Sequence, residues 1–367
     1  MSTTKTNKLL WLRAETKPFE QRTLLAPQVA GQLVDKGYEL VVERSAQRIF
    51  DDTEYENVGC RMAETHAWHK APQHAIILGL KELDPNDGPF TRRHVHFAHA
   101  FKDQLGWQDT LRQFQRGGGS LYDLEYLTDE SGQRIAAFGY WAGFVGAAVA
   151  VLAYCEKSDG KKLSTLSAWT NKHALIDSVQ SALKNINENP TALVIGALGR
   201  CGTGAVELLN ACDIKVTLWD QKETKSGGPF EDVLTHDIMV NCVFINVALP
   251  PFTTPEHLAR AARHLQVISD VSCDPFGKYN PLPVYTECTS MDKPVVEIIA
   301  ASDNAKSVEL IAIDHLPSLL PRESSEHFST QLFPALLDLQ HLDTGTWQRA
   351  KKIYEHHLTR LPAEESA

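Results

Sequence analysis

Four absences narrow the reading before any motif is considered. Cysteine is scarce: seven residues, odd in number, scattered and without C-x-x-C spacing. That pattern excludes a disulfide framework and a zinc site, reads as reduced thiols, and leaves no metal to be expected. Positive charge is not in excess either, with 36 Lys and Arg against 46 Asp and Glu. A nucleic-acid partner requires a basic stripe, so none is expected, although local arginines can still build a pocket for a small anion. The opening segment, MSTTKTNKLLWLRAETKP, has only a short apolar stretch and no small-residue cleavage site. No secretory leader is therefore expected, and the location is read as cytoplasmic. Long apolar runs are missing with one exception, residues 138–154, FGYWAGFVGAAVAVLAY. It falls just under the roughly 18–20 residues of a spanning helix. Its Gly and Ala content suits close packing, so it is read as a buried helix and no membrane partner is expected.

What is present is an ordinary globular composition. The chain has 367 residues, 43% of them apolar, which suits two domains of about 100–200 residues each. A first strand is expected at 9–12, a helix from 27 to about 36 and a strand at 39–43. Further strands are expected at 75–80 (AIILGL) and 95–100, the continuous apolar runs of strands covered on both faces. In the second half, strands are expected at 192–195, 215–219, within 238–247, at 267–271 and last at 295–301. Helices are expected at 201–210 and 258–265. Strands alternating with helices imply parallel α/β domains. A helical return follows over 316–337, and a charged helix near 346–360 is read as a solvated surface helix. The fold class is α/β, with two Rossmann-like domains, parallel sheets and an active site in the cleft between them. The first domain is discontinuous, 1–135 plus about 320–367, and carries substrate and catalysis; 136–319 binds the cofactor.

The string TALVIGALGRCGTGAVELLNACDIKVTLWD carries that cofactor assignment. A strand runs into Gly196, Gly199, Gly202 and Gly204; a helix follows, and the next strand ends on Asp220. The first glycine permits a tight strand-to-helix turn, and missing side chains let the backbone approach a pyrophosphate at the helix N-terminus. Asp220 stands about 20 residues on, where a carboxylate accepts from ribose hydroxyls. A carboxylate repels a 2′-phosphate, so NAD is favoured over NADP, with Lys222 and Lys225 nearby weighing the other way. Arg200 in the loop is either a phosphate contact or a surface cation.

Candidate catalytic groups sit at strand ends of the first half. Lys81 closes AIILGL, where burial depresses an amine into a usable base; the alternative is a lysine reaching solvent. His99 follows HFAH and is either a core histidine or an acid–base group, and its pairing with Lys81 favours the second. Arg13, Lys17 and Arg22 lie beside Glu15 and Glu20, forming either a salt-bridged loop or a clamp for carboxylates. Lys102 and Gln104 extend the same polar wall, and Arg134 and Phe138 fall at the domain junction.

Several strings together resemble one family: RAETKPFEQR, ILGLKE, HFAHAFKDQLGW, LYDLEYL, RIAAFGYWAGFVGAA, IGALGRCGTGA, WDQKET, GGPF and IDHLPSLLPRE. They match the NAD-dependent, L-lysine-forming saccharopine dehydrogenases of the fungal α-aminoadipate pathway, from near residue 11 to near residue 323. The layout is also similar to the alanine dehydrogenases and transhydrogenases. A smaller pocket, for alanine or another opine, and a cofactor-binding sensor without catalysis are the competing readings. The resemblance implies reversible cleavage of saccharopine, with NAD⁺ and water, to L-lysine, 2-oxoglutarate and NADH. It assigns Lys81 as general base and His99 as the acid–base group of imine hydration. Glu82 and Glu125 match acidic neighbours that tune the lysine. Arg22, Lys81, Lys102, Gln104, Arg134 and Phe138 match substrate contacts. Gly199, Arg200, Asp220, Thr224 and Val271 match NAD contacts, and Asp314, His315, Leu316 and Pro317 match the segment over the dinucleotide. Phe244, also at a cofactor position, replaces an expected tyrosine, and Gln133 replaces an arginine, which bears on NAD affinity. Cys201 lies in the glycine loop and Cys242 near the end of a strand expected to neighbour it, so a parallel sheet would let the two approach, either as two buried small apolar groups or as a reversible disulfide that blocks NAD. Oligomeric state is left open, a monomer included.

Overall fold

The computed structural model describes residues 9–102, 106–243, 245, 247–260, 263–302 and 305–362. Gln104 and Phe244 lie outside them. The chain divides into two compact units, Met1–Ala137 with Ser324–Ala367, and Phe138–Glu323. These divisions compare with 135/136 and 319/320 expected from the sequence.

The first unit holds β1 (Leu9–Leu12), β2 (Glu39–Glu43), β3 (Arg61–Ala63), β4 (Ile76–Leu78), β5 (Arg93–His96) and β6 (Ser120–Asp123). They pair in parallel in the order β3-β2-β1-β4-β5-β6. The connections include helices α1 (Pro27–Asp35), α2 (Asp52–Glu56) and α3 (Trp107–Gly117). Pro27 opens α1, where a missing N–H costs nothing, and Gly37 leaves it with φ +82°. β5 corrects the expectation of a strand over 95–100. The Phe97 N–H donates to Leu80 O at 3.0 Å, and the backbone turns left-handed at His99, so the run leaves the ladder early.

The second unit begins with α4 (Gly139–Ser158) and α5 (Lys172–Leu183), followed by β7 (Thr191–Ile195), α6 (Arg200–Ala211) and β8 (Lys215–Trp219). Then come α7 (Gln221–Thr224), β9 (Ile238–Asn241), α8 (Pro255–Leu258), β10 (Val267–Asp270), β11 (Val296–Ile299) and β12 (Val308–Ile311). The sheet order is β11-β12-β10-β9-β7-β8, with every pairing parallel except β11 with β12. The strand expected last, at 295–301, is thus an antiparallel edge, and β12 follows it. Glu309 interrupts the apolar run of β12; its buried carboxylate lies 3.9 Å from Lys157 Nζ. The helix expected over 258–265 also needs correction. Among the described residues of that span helix is confined to the end of α8, and His264 N–H donates to Leu234 O at 2.7 Å and Gln266 N–H to Asp237 O at 2.9 Å, drawing the chain towards the sheet.

The chain returns to the first unit in α9 (Pro321–Leu337) and ends in α10 (Gly345–Leu358). α10 is not a solvated helix. Trp347, Ala350, Tyr354 and His357 form one buried stripe at helical spacing. Trp347 Nε1 donates to Ala335 O at 2.8 Å, and Tyr354 Oη donates to Gly119 O at 3.2 Å.

α4 is long and apolar enough to cross a membrane, yet it packs as the core helix of its unit, against α5, α6, β9 and β10. Its contact with α6 leaves no room for side chains. A Cβ on Gly204 would stand 1.9 Å from Tyr140 O, and one on Gly143 would stand 1.9 Å from Cys201 O. Both obstacles are backbone atoms, which cannot rotate away. Gly204→Ala gains about 1 kcal/mol of helix propensity but forces α4 and α6 apart, at about 1–3 kcal/mol or more. The net expectation is a destabilised protein in chemical denaturation; an unchanged or raised midpoint would contradict this packing.

Candidate functional site

In the first sheet the winding direction reverses between β1 and β4. Ligands of open α/β sheets bind outside the carboxyl ends of the strands at such a point. β1 leads there into Arg13–Arg22, and β4 into Gly79–Glu82.

Three buried carboxylates fix this corner. Glu43, at the end of β2, is fully buried and accepts four N–H groups: Ala14 at 2.9 Å, His66 at 3.0 Å, Trp68 at 2.6 Å and Trp11 Nε1 at 3.1 Å. Glu15 accepts from the amides of Leu80 at 2.6 Å and Lys81 at 3.0 Å, and from the Arg13 guanidinium at 3.4 Å. Arg13 also donates to Lys81 O. The backbone of Lys81 is therefore held on both its N–H and its C=O. Glu20 takes the Arg22 fork, with Nε at 2.8 Å and Nη2 at 2.7 Å. Both side chains are 4% exposed, so the cations and acids of this loop are in part a buried salt bridge. Burial pushes the Glu20 carboxyl up, but Arg22 and then Lys81 outweigh it and hold the pKa below the usual range.

Lys81 Nζ lies 3.8 Å from Glu20 Oε2, and its side chain is 17% exposed. An ion pair alone would raise an amine. Here burial and then the Arg22 charge prevail over Glu20, and the pKa falls below its ordinary value. Glu82 pairs with Lys17. Burial pushes Glu82 up, while the Lys17 contact and the His99 charge bring it down overall.

His99 is exposed and has φ +52°. The core-histidine reading fits its neighbours instead. His94 and His96 are fully buried, and burial holds both well below the ordinary imidazole range. The turn carrying His99 is braced by Asp123, which the sequence reading did not single out. Its buried carboxylate accepts from Ala98 N at 3.3 Å and Glu125 N at 2.9 Å, and burial pushes it up to about 7. Glu125 in turn pairs with Lys102. Arg134 and Gln133 are exposed on a tight turn closed by Asp129, whose carboxylate accepts from Gln133 N at 3.0 Å.

The second sheet reverses between β7 and β9, and the glycine loop emerges there. Gly196 has φ +82°, which only glycine adopts cheaply. Gly199 is the N-cap of α6, without a side chain covering the helix N-terminus. A Cβ on Gly199 would meet Gly196 O at 3.3 Å. The exposed Arg200 begins the helix. Amides at an open helix N-terminus and a positive dipole end suit a pyrophosphate, so this loop fits a dinucleotide. Asp220 caps α7 and accepts from Leu198 N at 3.0 Å and Gln221 N at 2.8 Å. It ties the glycine loop to β8, and a carboxylate with about four acceptor positions retains capacity for a ribose. Thr224 is buried, and its hydroxyl donates to Asp220 O at 3.0 Å. Val271 follows β10, with its N–H on Asn241 O at 3.0 Å. Leu316 and Pro317 are buried in a single 3-10 turn, while Asp314 and His315 before it are exposed. Phe138 caps the start of α4. Cys201 and Cys242 are both free thiols in side-chain contact, and that contact and then burial raise Cys242 well above its ordinary value.

Residues 11–145 match the family model described as alanine dehydrogenase/PNT, N-terminal domain. Among solved structures, an L-alanine dehydrogenase superposes with a TM-score of 0.65 at 14% identity, covering 95% of this chain and 93% of that one. A transhydrogenase from Sinorhizobium meliloti gives 0.63 at 13% identity, covering 93% and 97%. At such identities these establish the fold: α/β, with two parallel-dominated sheets. Curated relatives are much nearer. The saccharopine dehydrogenase [NAD(+), L-lysine-forming] of Yarrowia lipolytica is 44% identical, across 96% of this chain and 98% of its own. Its counterpart in Schizosaccharomyces pombe is 45% identical, across 96% and 99%. Identity of that size along both whole lengths shows that the chain belongs to the saccharopine dehydrogenase family, NAD(+)-dependent and L-lysine-forming.

Proposed function

We propose that this chain catalyses the reversible oxidative cleavage of saccharopine, with NAD⁺ and water, to L-lysine, 2-oxoglutarate and NADH. The observation that carries the reading is Lys81, an amine held by its backbone beside the sheet's switch point and depressed by burial and Arg22. A secondary amine is protonated near neutrality and cannot release hydride from its carbon until it loses that proton. Lys81 in its neutral form takes it. His99, exposed on its braced turn, then moves protons as water adds to the substrate imine and as the carbinolamine collapses. Glu82 and Glu125 set the charge around the two. Arg22, Lys102, Gln104, Arg134 and Phe138 would contact the three carboxylates and stem of saccharopine.

The glycine loop supplies the residues that would hold NAD: Gly199 and Arg200 at the pyrophosphate and Asp220 at the ribose, with Thr224, Phe244, Val271 and residues 314–317 around them. When bound, NAD⁺ is the hydride acceptor. The net charge of −10 and the burial of α4 support a reading without nucleic-acid or membrane partners, and the setting is taken as cytoplasmic within that reading. Closure of a Cys201–Cys242 disulfide would cross the glycine loop and weaken NAD binding; equal affinity of oxidised and reduced protein would sink that part.

The direct assay is NADH oxidation with L-lysine plus 2-oxoglutarate, against pyruvate plus ammonia. Turnover with the second pair alone would overturn the reading. Lys81→Met should lower kcat by about 10²-fold or more while leaving the NADH dissociation constant unchanged.

The pH dependence has a defined sign. Lys81 acts when deprotonated, so saccharopine oxidation rises with pH through its pKa. Glu20 raises that pKa. Glu20→Gln removes the opposing charge and leaves Arg22 uncompensated, and both effects favour the neutral amine. The ascending limb of kcat/KM should therefore move to lower pH. Movement to higher pH would mean that Glu20 does not act on the base.

A further inference from the structure

A second pair of thiols lies elsewhere in the second unit. Cys273 follows β10, and its Sγ lies 3.1 Å from Cys288 Sγ, closer than two unbonded sulfurs ordinarily rest. Cys273 holds φ +49°, a left-handed conformation that a cysteine adopts only when its surroundings impose it. Here the surroundings are visible. The Asp270 carboxylate just before it accepts from Asn241 Nδ2 at 2.9 Å and from Tyr285 Oη at 2.7 Å. Cys273 Sγ also lies 3.2 Å from Ala312 O. On the other side, Thr289 is bonded twice to Ala312, N–H to O at 2.8 Å and Oγ1 from N–H at 2.9 Å. The Cys273 sulfur and the backbone of Thr289, next to Cys288, thus meet at the same residue, Ala312, just past β12, and that shared attachment holds the two cysteines together. A disulfide requires an approach of about 1 Å more.

We propose that Cys273 and Cys288 form a reversible disulfide that fastens the loop between them. That loop lines a cavity of about 270 Å³ at the carboxyl ends of β9 and β10, with Val243, Asp270, Ser272, Lys278 and Tyr279 in its wall. This is the side of the sheet on which such folds take ligands. The inference does not depend on which substrate the enzyme uses.

The oxidant is a small disulfide of the glutathione type. Cys288 is the exposed member. Its thiolate attacks one sulfur of the small disulfide, forms a mixed disulfide and releases one small thiol. The Cys273 thiol, kept protonated by burial and by the Cys288 contact, then gives up its proton and attacks Cys288 Sγ, releasing the second small thiol. Two protein thiols lose two electrons, the small disulfide gains them, and the two protons end on the released thiols. A dithiol reductant reverses both steps.

The test uses the full chain equilibrated with reduced and oxidised glutathione. Non-reducing peptide mapping should find Cys273 joined to Cys288, about 2 Da lighter than the sum of the two thiol peptides, and dithiothreitol should remove the link. A chain with Cys201→Ser and Cys242→Ser should retain it, which separates this pair from the one in the glycine loop. Trypsin should cut after the exposed Lys278 several-fold more slowly in the oxidised form. A stable glutathione adduct on Cys288 without the link, or no loss of thiols, would overturn the proposal. Equal cleavage of both forms would overturn the fastening.

Discussion

The first unit depends on carboxylates buried against backbone amides. An ionised carboxylate leaving water loses several kcal/mol of hydration, and it stays charged only where several donors replace that water. Glu43 recovers its hydration from four N–H groups, drawn from β1, from Ala14 just beyond it and from the 66–68 turn. That bond set holds the end of β1 in place. Glu15, the residue after the anchored Ala14 and three past the end of β1, then reaches the amides of Leu80 and Lys81. The position of the catalytic candidate is thus inherited through two acids that never need to touch a substrate.

The electrostatics of Lys81 follow from the same arrangement. A lysine beside one carboxylate would be an ordinary ion pair. Glu20 is instead committed to Arg22, with two bonds to that guanidinium and a longer approach to Lys81. The pair presents Lys81 with little net charge, so burial decides. A cluster of cations and acids in one loop therefore serves two ends at once. It is a salt bridge, and it is the reason an amine nearby has a reduced affinity for its proton.

Much of this was legible in the residues, for reasons that differ by element. β1, β2, β4 and β7 stood out because an apolar run covered on both faces needs no periodicity to be seen, and the edge strand β8 stood out by its place between a helix pattern and Asp220. The glycine loop was legible because its order of strand, glycines, helix and acid is dictated by phosphate geometry. β6 and β12 were missed because Ser120, Asp123 and Glu309 break their apolar runs; the Asp123 carboxylate is held by the amides of Ala98 and Glu125, and Glu309 lies beside Lys157 far along the chain. α10 was misread because Arg349, Lys351, Lys352 and Glu355 are interleaved with its apolar residues, although Trp347, Ala350 and Tyr354 keep the spacing of a buried face. Glu43 and Asp123 were invisible as anchors. Their partners are main-chain N–H groups, which carry no sequence signature, so no motif records them.

The division of the first unit has a consequence during synthesis on the ribosome. Its last parts, α9 and α10, are made only after the whole segment Phe138–Glu323. At roughly 5–20 residues per second, that delay is about ten to forty seconds. Throughout it, Thr23 and Ala26 lack the Ser325 and Ser329 hydroxyls that later accept their amides at 3.0 and 2.8 Å. The strand pairings of β1–β6 can form in that interval, but the face that Trp347 and Tyr354 will cover stays open to water and to other nascent chains. The loop bearing Arg22 receives its final partners only when the C-terminal helices arrive, so the nascent enzyme completes its first-made site last.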